Sequence, residues 1–213
     1  MADVKICGIR TRDDLAAAST AGARWVGMVF FEKSPRHLSL DQAALLRDAS
    51  TGNTATRVAL VVDADDAALD AIMAAAAPQM LQCHGQETPE RLSEIKSRHG
   101  VDVMKAIRVA DSASLDAALA YDDIVDWMLF DSAPTDAELP GGTGHRFDWA
   151  LMQQWQGRKP WMLAGGLTAA NVAEAVSISG AKAVDVSSNV EKSPGIKDHN
   201  AIQDFVSAAV WAK

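Results

Sequence analysis

Eight short apolar segments alternate along this chain with eight longer amphipathic segments, and no other feature constrains the fold as strongly. The apolar segments are rich in Val, Ile, Met and aromatic residues, as are strands buried on both faces of a parallel sheet. The predicted strands cover residues 4–9, 25–31, 57–62, 80–84, 101–109, 127–131, 161–164 and 183–187. The predicted helices between and after them cover residues 13–20, 40–49, 66–76, 89–98, 112–120, 148–155, 170–178 and 199–210.

Alternating strand and helix units build a parallel sheet, and eight such units favour closure of the sheet into a barrel. The repeat averages roughly 27 residues, about what one strand and its crossover helix need. An open doubly wound sheet is the alternative, but it usually has fewer strands and a GxGxxG turn after the first one, which this chain lacks. No linker or composition shift divides the sequence. We therefore predict an α/β fold, a single-domain (β/α)8 TIM barrel over residues 1–213.

Charge and composition exclude several classes of partner. The formal net charge of −8 argues against a general affinity for nucleic acid or for an anionic membrane. Charged residues recur through the first twenty positions and leave no uncharged core for an export signal. The two cysteines, Cys7 and Cys83, lie far apart without a CxxC spacing, so neither a zinc site nor a disulfide is predicted. We expect a cytoplasmic protein.

Glycine-rich and serine-rich turns follow the last two predicted strands. Gly165 and Gly166 come after strand seven, and Ser188 and Asn189 come after strand eight. Many barrels hold a phosphate at this position, where glycines let backbone N–H groups approach an oxyanion closely. A tight turn without a ligand is the alternative. Two such loops side by side favour a phosphate site, and residues 193–198 are expected to add a short helical turn beside it.

Cys7 lies near the C-terminal end of the first strand. A lone cysteine in an apolar strand is usually a small buried hydrophobe. Alternation puts Lys5 and Cys7 on one side of the strand, and a lysine does not suit the helix layer, so both are predicted to face the barrel interior. There Cys7 would act as a base once ionised. In strand four, Gln82 and His84 are the predicted inward pair, which makes Cys83 a core residue.

Charged residues also occur at other strand ends, where barrels keep their catalytic groups. Asp131 closes an apolar run, and a carboxylate there is costly unless it is hydrogen-bonded or functional. Its alternative role is to tie down the loop after strand six. Asp185 is a similar case with a weaker claim to catalysis, and it is a candidate for binding a sugar hydroxyl. Arg36 is either a bidentate grip on a carboxylate or a solvated surface charge.

Taken together, the motifs at the strand ends closely resemble those of the phosphoribosylanthranilate isomerase family. The resemblance runs from residue 4 to residue 205, and its motifs occur in order. They are residues 5–9, 34–37, 82–85, 141–144 with 147–149, 163–167 with 171–172, and 184–188 with 190–191 and 193–198. The family carries out an Amadori rearrangement in tryptophan biosynthesis, which converts an aminofuranoside phosphate to an open-chain aminodeoxyribulose phosphate.

The resemblance implies a role for each candidate residue. Asp131 would be the general acid that opens the furanose ring, and Cys7 the general base that removes the C2′ proton. Arg36 would hold the anthranilate carboxylate, and His84 and Asp185 would bind the rest of the substrate. The phosphate would lie on the loops after strands six to eight, at Gly142, Gly144, Gly165, Gly166, Ser188 and Asn189. No metal or organic cofactor is expected, and the expected assembly is a monomer or a homodimer.

Two positions depart from the family pattern, and two rival functions stay open. Family members usually have glycine in place of Asn189 and leucine in place of Cys83. Asparagine tolerates left-handed backbone better than other residues, so we predict a positive φ at Asn189. The aminoaldose isomerase of histidine biosynthesis is the nearest rival, but it would have an aspartate in place of Cys7. The other rival is a barrel that binds a phosphorylated ligand without turnover.

Overall fold

A computed structural model describes residues 1–50, 54–132 and 148–210 of the chain. Eight parallel strands form a closed barrel in sequence order, and β1 pairs with β8 to close it. The strands are β1 (Asp3–Cys7), β2 (Trp25–Phe30), β3 (Thr56–Val61), β4 (Met80–Cys83), β5 (Asp102–Val109), β6 (Trp127–Ser132), β7 (Trp161–Leu163) and β8 (Ala183–Val186). The predicted barrel is confirmed, and each predicted strand is present within two residues of its expected ends.

Helices connect the strands and cover the outside of the barrel. The α-helices are α1 (Arg12–Ala21), α2 (Leu40–Ala49), α3 (Asp66–Ala76), α4 (Pro89–His99), α5 (Ser112–Ala118), α6 (Val172–Ser179) and α7 (His199–Val210). Two short 3₁₀ helices, Leu119–Tyr121 and Trp149–Gln154, follow α5 and precede β7. The second replaces the helix that we predicted over residues 148–155. Within the described ranges, no helix is long and apolar enough to cross a membrane.

Side-chain caps fix where most helices begin. Thr11 and Ser39 each form a capping box at the start of α1 and α2. Asp65, Thr88 and Asp111 likewise cap α3, α4 and α5, and each accepts a hydrogen bond from a backbone N–H of the first turn.

Helix α6 begins at Val172 with Asn171 as its N-cap, two residues later than the predicted start at residue 170.

The buried side chains form two layers. The inner layer fills the barrel with large side chains from alternate strand positions, among them Trp25, Met80, Met104 and Leu129. The outer layer joins the other strand faces to the helices, and Cys83 belongs to it with no exposed surface. The prediction that Cys83 is a core residue facing the helices is therefore confirmed.

The segment after β8 does not fold as expected. Residues 193–198 were predicted to add a helical turn, and that prediction is wrong. Instead β9 (Glu191–Ser193) and β10 (Ile196–Lys197) form an antiparallel hairpin. Gly195 turns the chain with a φ of +81°, a left-handed conformation that breaks a helix. The short helical turn near the barrel mouth lies earlier, at the 3₁₀ helix Ser188–Val190.

Ala77 ends α3 in the left-handed region, with φ 41° and ψ 55°. A Cβ is unfavourable there, whereas glycine adopts this conformation freely. We expect Ala77→Gly to raise the free energy of unfolding by about 0.5–1 kcal/mol, measured by urea denaturation. Ala74→Gly, at an exposed position inside the same helix, is the matched control and should lower it by about 1 kcal/mol. Equal destabilisation by both substitutions would contradict the argument.

Candidate active site

The candidate site lies at the C-terminal ends of the strands, where inward-facing side chains from several strands meet. Lys5 and Cys7 point inward from β1, as predicted, because Val4 and Ile6 belong to the outer layer. Lys5 has no exposed surface, and its Nζ lies 2.7 Å from Oδ1 of Asp185, its register partner on β8. Burial alone would lower the pKa of Lys5, but the Asp185 carboxylate and the Cys7 sulfur raise it overall.

Cys7 is buried, with 4% of its surface exposed. Burial raises the pKa of its thiol, and the charge of Lys5 only partly offsets this effect. The neighbouring strand makes room for the sulfur, since a Cβ added at Gly27 would lie 2.8 Å from Sγ. Gly27 is also the register partner of Cys7. The free protein therefore holds Cys7 as a thiol in a close-fitting position.

Asp131 faces inward from β6, three strands away from Cys7 around the closed sheet. Burial and the nearby charge of Asp185 raise the pKa of its carboxyl group to about 6. His84 lies beside it, with Nε2 at 3.8 Å from Asp131 Oδ2. Burial lowers the pKa of His84 to about 4, with a further contribution from Lys5, so its ring is neutral near pH 7. The structure thus brings together a carboxyl group that protonates near neutral pH and a neutral imidazole.

Gln82 sets the orientation of that imidazole. Its amide nitrogen lies 3.2 Å from His84 Nδ1, a geometry that suits donation from the amide to an unprotonated Nδ1. The ring proton is then on Nε2, the nitrogen that faces Asp131. Gln82 itself is buried, which confirms the prediction that Gln82 and His84 form the inward pair of β4.

We expect Gln82→Met to leave the His84 ring as a mixture of tautomers, because the hydrogen bond to Nδ1 is lost. The direct measurement is ¹⁵N NMR of the His84 ring, which should show a protonated Nε2 in the wild-type protein and a mixture of tautomers in the variant. Gln82→Glu is the matched control, since a carboxylate can only accept and should reverse the tautomer. A wild-type ring protonated at Nδ1 would contradict this orientation.

Arg36 does not lie free at the barrel mouth. Its Nε and Nη2 donate to the two carboxylate oxygens of Glu191, each at 2.7 Å. Lys197, fully buried on β10, donates to the same carboxylate at 2.9 Å and to the carbonyl of Ser187 at 2.9 Å. Burial opposes ionisation of Glu191, but the hydrogen bonds from Arg36 and Lys197 lower its pKa overall. The hairpin therefore holds Arg36 through a charged network.

The turns after β7 and β8 have open backbone at the predicted phosphate position. Gly165 and Gly166 both adopt positive φ, at +86° and +65°. A Cβ on Gly165 would lie 2.4 Å from the Ser132 hydroxyl oxygen, whereas one on Gly166 would meet no atom of the described residues within 4 Å. Gly165 is thus required by close packing, and Gly166 leaves space above the turn for a ligand.

The predicted positive φ at Asn189 is wrong. Among the described residues, the non-glycine positions with positive φ are Asp63 and Ala77. Asn189 lies inside the 3₁₀ helix Ser188–Val190, and its side-chain amide donates to the Leu167 carbonyl at 2.8 Å. The asparagine therefore ties the helical turn after β8 to the loop after β7.

Sequence reasoning missed the roles of three residues of this site and assigned two that cannot be placed. Gln82 was predicted only to face inward, and Glu191 and Lys197 were given only as part of the family motifs. Charged residues in a hairpin after the last strand were the available signal. The predicted phosphate residues Gly142 and Gly144 lie outside the described residues. Within those residues, no group of three or more His, Cys, Asp or Glu side chains is arranged to hold a metal ion.

A sequence profile of the N-(5′-phosphoribosyl)anthranilate isomerase family matches residues 4–208. The chain belongs to this family. An N-(5′-phosphoribosyl)anthranilate isomerase of Cereibacter sphaeroides is 52% identical over 207 residues, which are 97% of each chain. One of Paramagnetospirillum magneticum is 50% identical over 208 residues, 97% of this chain and 96% of that one. Membership of the isomerase family confirms the predicted family, enzyme class and activity.

Solved structures agree with the assignment to this family. The phosphoribosylanthranilate isomerase of Thermotoga maritima superposes with a TM-score of 0.87 at 33% identity, over 99% of both chains. A second structure of a phosphoribosylanthranilate isomerase, in complex with reduced 1-(o-carboxyphenylamino)-1-deoxyribulose 5-phosphate, has a TM-score of 0.84 at 32% identity, again over 99% of both chains. The chain therefore has the same barrel fold as these solved phosphoribosylanthranilate isomerases.

Proposed function

We propose that this chain converts N-(5′-phosphoribosyl)anthranilate to 1-(2-carboxyphenylamino)-1-deoxyribulose 5-phosphate, with Asp131 as general acid and Cys7 as general base. These roles are supported by the electrostatic surroundings of the two side chains, which face the same barrel mouth. Burial raises the pKa of Asp131 to about 6, which keeps part of the carboxyl group protonated near neutral pH. The ammonium group of Lys5 faces the Cys7 sulfur and favours its ionised form against burial.

Ring opening is the first step that the site supports. Asp131 donates its proton to the furanose ring oxygen while the anilino nitrogen forms a double bond to C1′, which gives an open-chain iminium ion. A general acid works best when its pKa is near the working pH, and a value of about 6 satisfies this requirement better than an ordinary aspartate would. The Nε2–H of His84 points at the same region and can hydrogen-bond the new hydroxyl group.

Proton abstraction is the second step. The iminium ion withdraws electrons from C2′, and its positive charge favours the thiolate of Cys7 over the thiol. The thiolate removes the C2′ proton, the electron pair forms the enolamine, and the enolamine tautomerises to the ketone. The substrate itself supplies the electron sink, so the proposed steps use only proton transfers.

Binding groups surround this acid and base. We assign the phosphate to the turns at Gly166 and Ser188, a sugar hydroxyl to Asp185, and the anthranilate carboxylate to Arg36. The Nη1 side of Arg36 is left for a ligand, because Glu191 takes Nε and Nη2. The proposal includes a single catalytic domain, a cytoplasmic location and a monomer or homodimer.

The test is steady-state turnover of freshly prepared phosphoribosylanthranilate by the purified chain, followed by the loss of anthranilate-type fluorescence. We expect turnover without added metal or organic cofactor. The corresponding aminoaldose of histidine biosynthesis is the control substrate and should not be isomerised. Turnover of that substrate alone would favour the rival isomerase, and binding of both without turnover would favour a non-catalytic barrel.

A further inference from the structure

Arg108 lies at the barrel mouth in a position that the proposed function does not use. On β5, Met104 and Ala106 belong to the inner layer, so the alternate position of Arg108 continues the inward-facing row beyond the packed core. Its register partner on β6 is Asp131, the proposed acid. Arg108 is exposed, as expected of an inward-facing side chain that lies above the core.

Four other cationic side chains near the mouth are paired with a carboxylate among the described residues. These pairs are Lys5 with Asp185, Lys105 with Glu87, Arg36 with Glu191 and Lys197 with Glu191. Arg108 has no hydrogen bond or ion pair within residues 1–50, 54–132 and 148–210. Its charge acts on Asp131 and His84 only through space. With respect to the described part of the chain, all five N–H donors of Arg108 are therefore available for an anionic ligand.

A cavity of about 280 Å³ opens beside Arg108, between the ends of β3, β4 and β5. Its wall includes the apolar groups of Ala106, Ile107 and Tyr121 and the polar groups of His84 and Arg108. Two further charged residues line it: Asp63 accepts the Gln86 N–H, and Lys105 is paired with Glu87, so Arg108 is the cation of the wall that lacks a carboxylate partner among the described residues. An aromatic ring that carries a carboxylate suits such a wall, because it buries its faces and presents its charge to a guanidinium. The cavity lies across the mouth from the turns after β7 and β8.

We propose that Arg108 is a specificity-determining residue that binds the aromatic carboxylate of the substrate. This inference rests on the proposed function, which places the phosphate at β7 and β8 and so directs the aromatic end of the molecule across the mouth. The Glu191 carboxylate largely neutralises the charge of Arg36. Arg108 has no carboxylate partner among the described residues, so it would offer its full charge to the carboxylate of the substrate. A carboxylate has two oxygens and about four acceptor positions, so it can accept from both arginines.

The experiment is a thermodynamic cycle that combines a substitution of Arg108 with removal of the carboxyl group from the ligand. Dissociation constants are measured by calorimetry for reduced 1-(o-carboxyphenylamino)-1-deoxyribulose 5-phosphate and for the same compound without its carboxyl group. The variant is Arg108→Met, which keeps an apolar stem and removes the donors. We expect about 10-fold weaker binding of the carboxylated compound and a change of less than twofold for the other. Arg108→Lys should restore part of the loss, since it returns the charge without the planar fork.

Steady-state kinetics of the same variants give an independent measure. Loss of a contact to the carboxylate should raise KM for phosphoribosylanthranilate with a smaller change in kcat. Equal weakening of both compounds by Arg108→Met would overturn the inference, because the arginine would then act on the phosphate or on the general field of the site. Unchanged binding of both would overturn it as well.

Different results would contradict the role of Arg108 and the proposed function. Wild-type protein that does not turn over phosphoribosylanthranilate would contradict the proposed function, whatever Arg108 does. Wild-type protein that is active, with no difference between the two compounds in Arg108→Met, would contradict the inference alone. Arg36→Met in the same cycle shows whether the carboxylate depends on one arginine or on both.

Discussion

Cys7→Ala should lower kcat/KM for phosphoribosylanthranilate by about 10²-fold or more, because the C2′ proton then has no base within reach. Loss of a general base slows the chemical step, so most of the decrease in kcat/KM should come from a lower kcat. Binding of reduced 1-(o-carboxyphenylamino)-1-deoxyribulose 5-phosphate should persist. Cys7→Ser gives a near-isosteric test, since a serine hydroxyl ionises too weakly to replace the thiolate. The measurement is steady-state turnover together with calorimetric binding.

Cys83 provides the matched control for this substitution. It is also a buried cysteine at a strand end, but it faces the helices, and burial together with the nearby Glu87 carboxylate raises the pKa of its thiol to about 12. Cys83→Ala should cost some packing and leave kcat within a few-fold of wild type. Near-normal turnover in Cys7→Ala, or an equal loss in both alanine variants, would remove Cys7 from the mechanism.

The inward face of the barrel was predictable because its signals are local. A strand alternates its side chains with a period of two, so the apolar outer positions Val4 and Ile6 fix Lys5 and Cys7 as inward-facing. The same alternation fixes Asp131 and Asp185 at their strand ends. Parallel topology then brings these ends together at one mouth. The position of the candidate acid and base thus follows from patterns only a few residues long.

Features that depend on distant partners were not predictable in this way. Arg36 and Glu191 are 155 positions apart, and nothing near Arg36 shows that a carboxylate will occupy two of its nitrogens. Asn189 was expected to replace glycine by adopting glycine's backbone, but it bonds to Leu167 across a neighbouring loop and remains helical. The hairpin after β8 was likewise missed, because a Pro-Gly pair is compatible with several kinds of turn.

Asp131→Asn should lower kcat/KM by about 10²-fold or more, since an amide cannot donate the proton that opens the ring. The active form of the wild-type site needs Asp131 protonated and Cys7 ionised. The pKa of Asp131 is about 6 and that of Cys7 is raised by burial, so this form is a minor one. Below pH 6 its population follows the thiolate fraction of Cys7 and rises about tenfold for each pH unit. Wild-type kcat/KM should therefore rise up to about pH 6 and level off above it, and Asp131→Asn should abolish that break.

The same substitution should stabilise the protein, which separates a catalytic role from a structural one. A folded-state pKa of about 6 means that folding favours the protonated carboxyl group. This contribution to stability is present below the unfolded-state pKa near 4 and is lost as the pH rises through about 6. Asparagine resembles the protonated form at every pH, so above pH 6 it should raise the free energy of unfolding by roughly 1–3 kcal/mol. Urea denaturation at pH 4 and pH 8 measures the effect. A variant that is inactive and also less stable at pH 8 would mean that Asp131 holds the loop after β6, and a variant that is inactive and more stable would support its role as the acid.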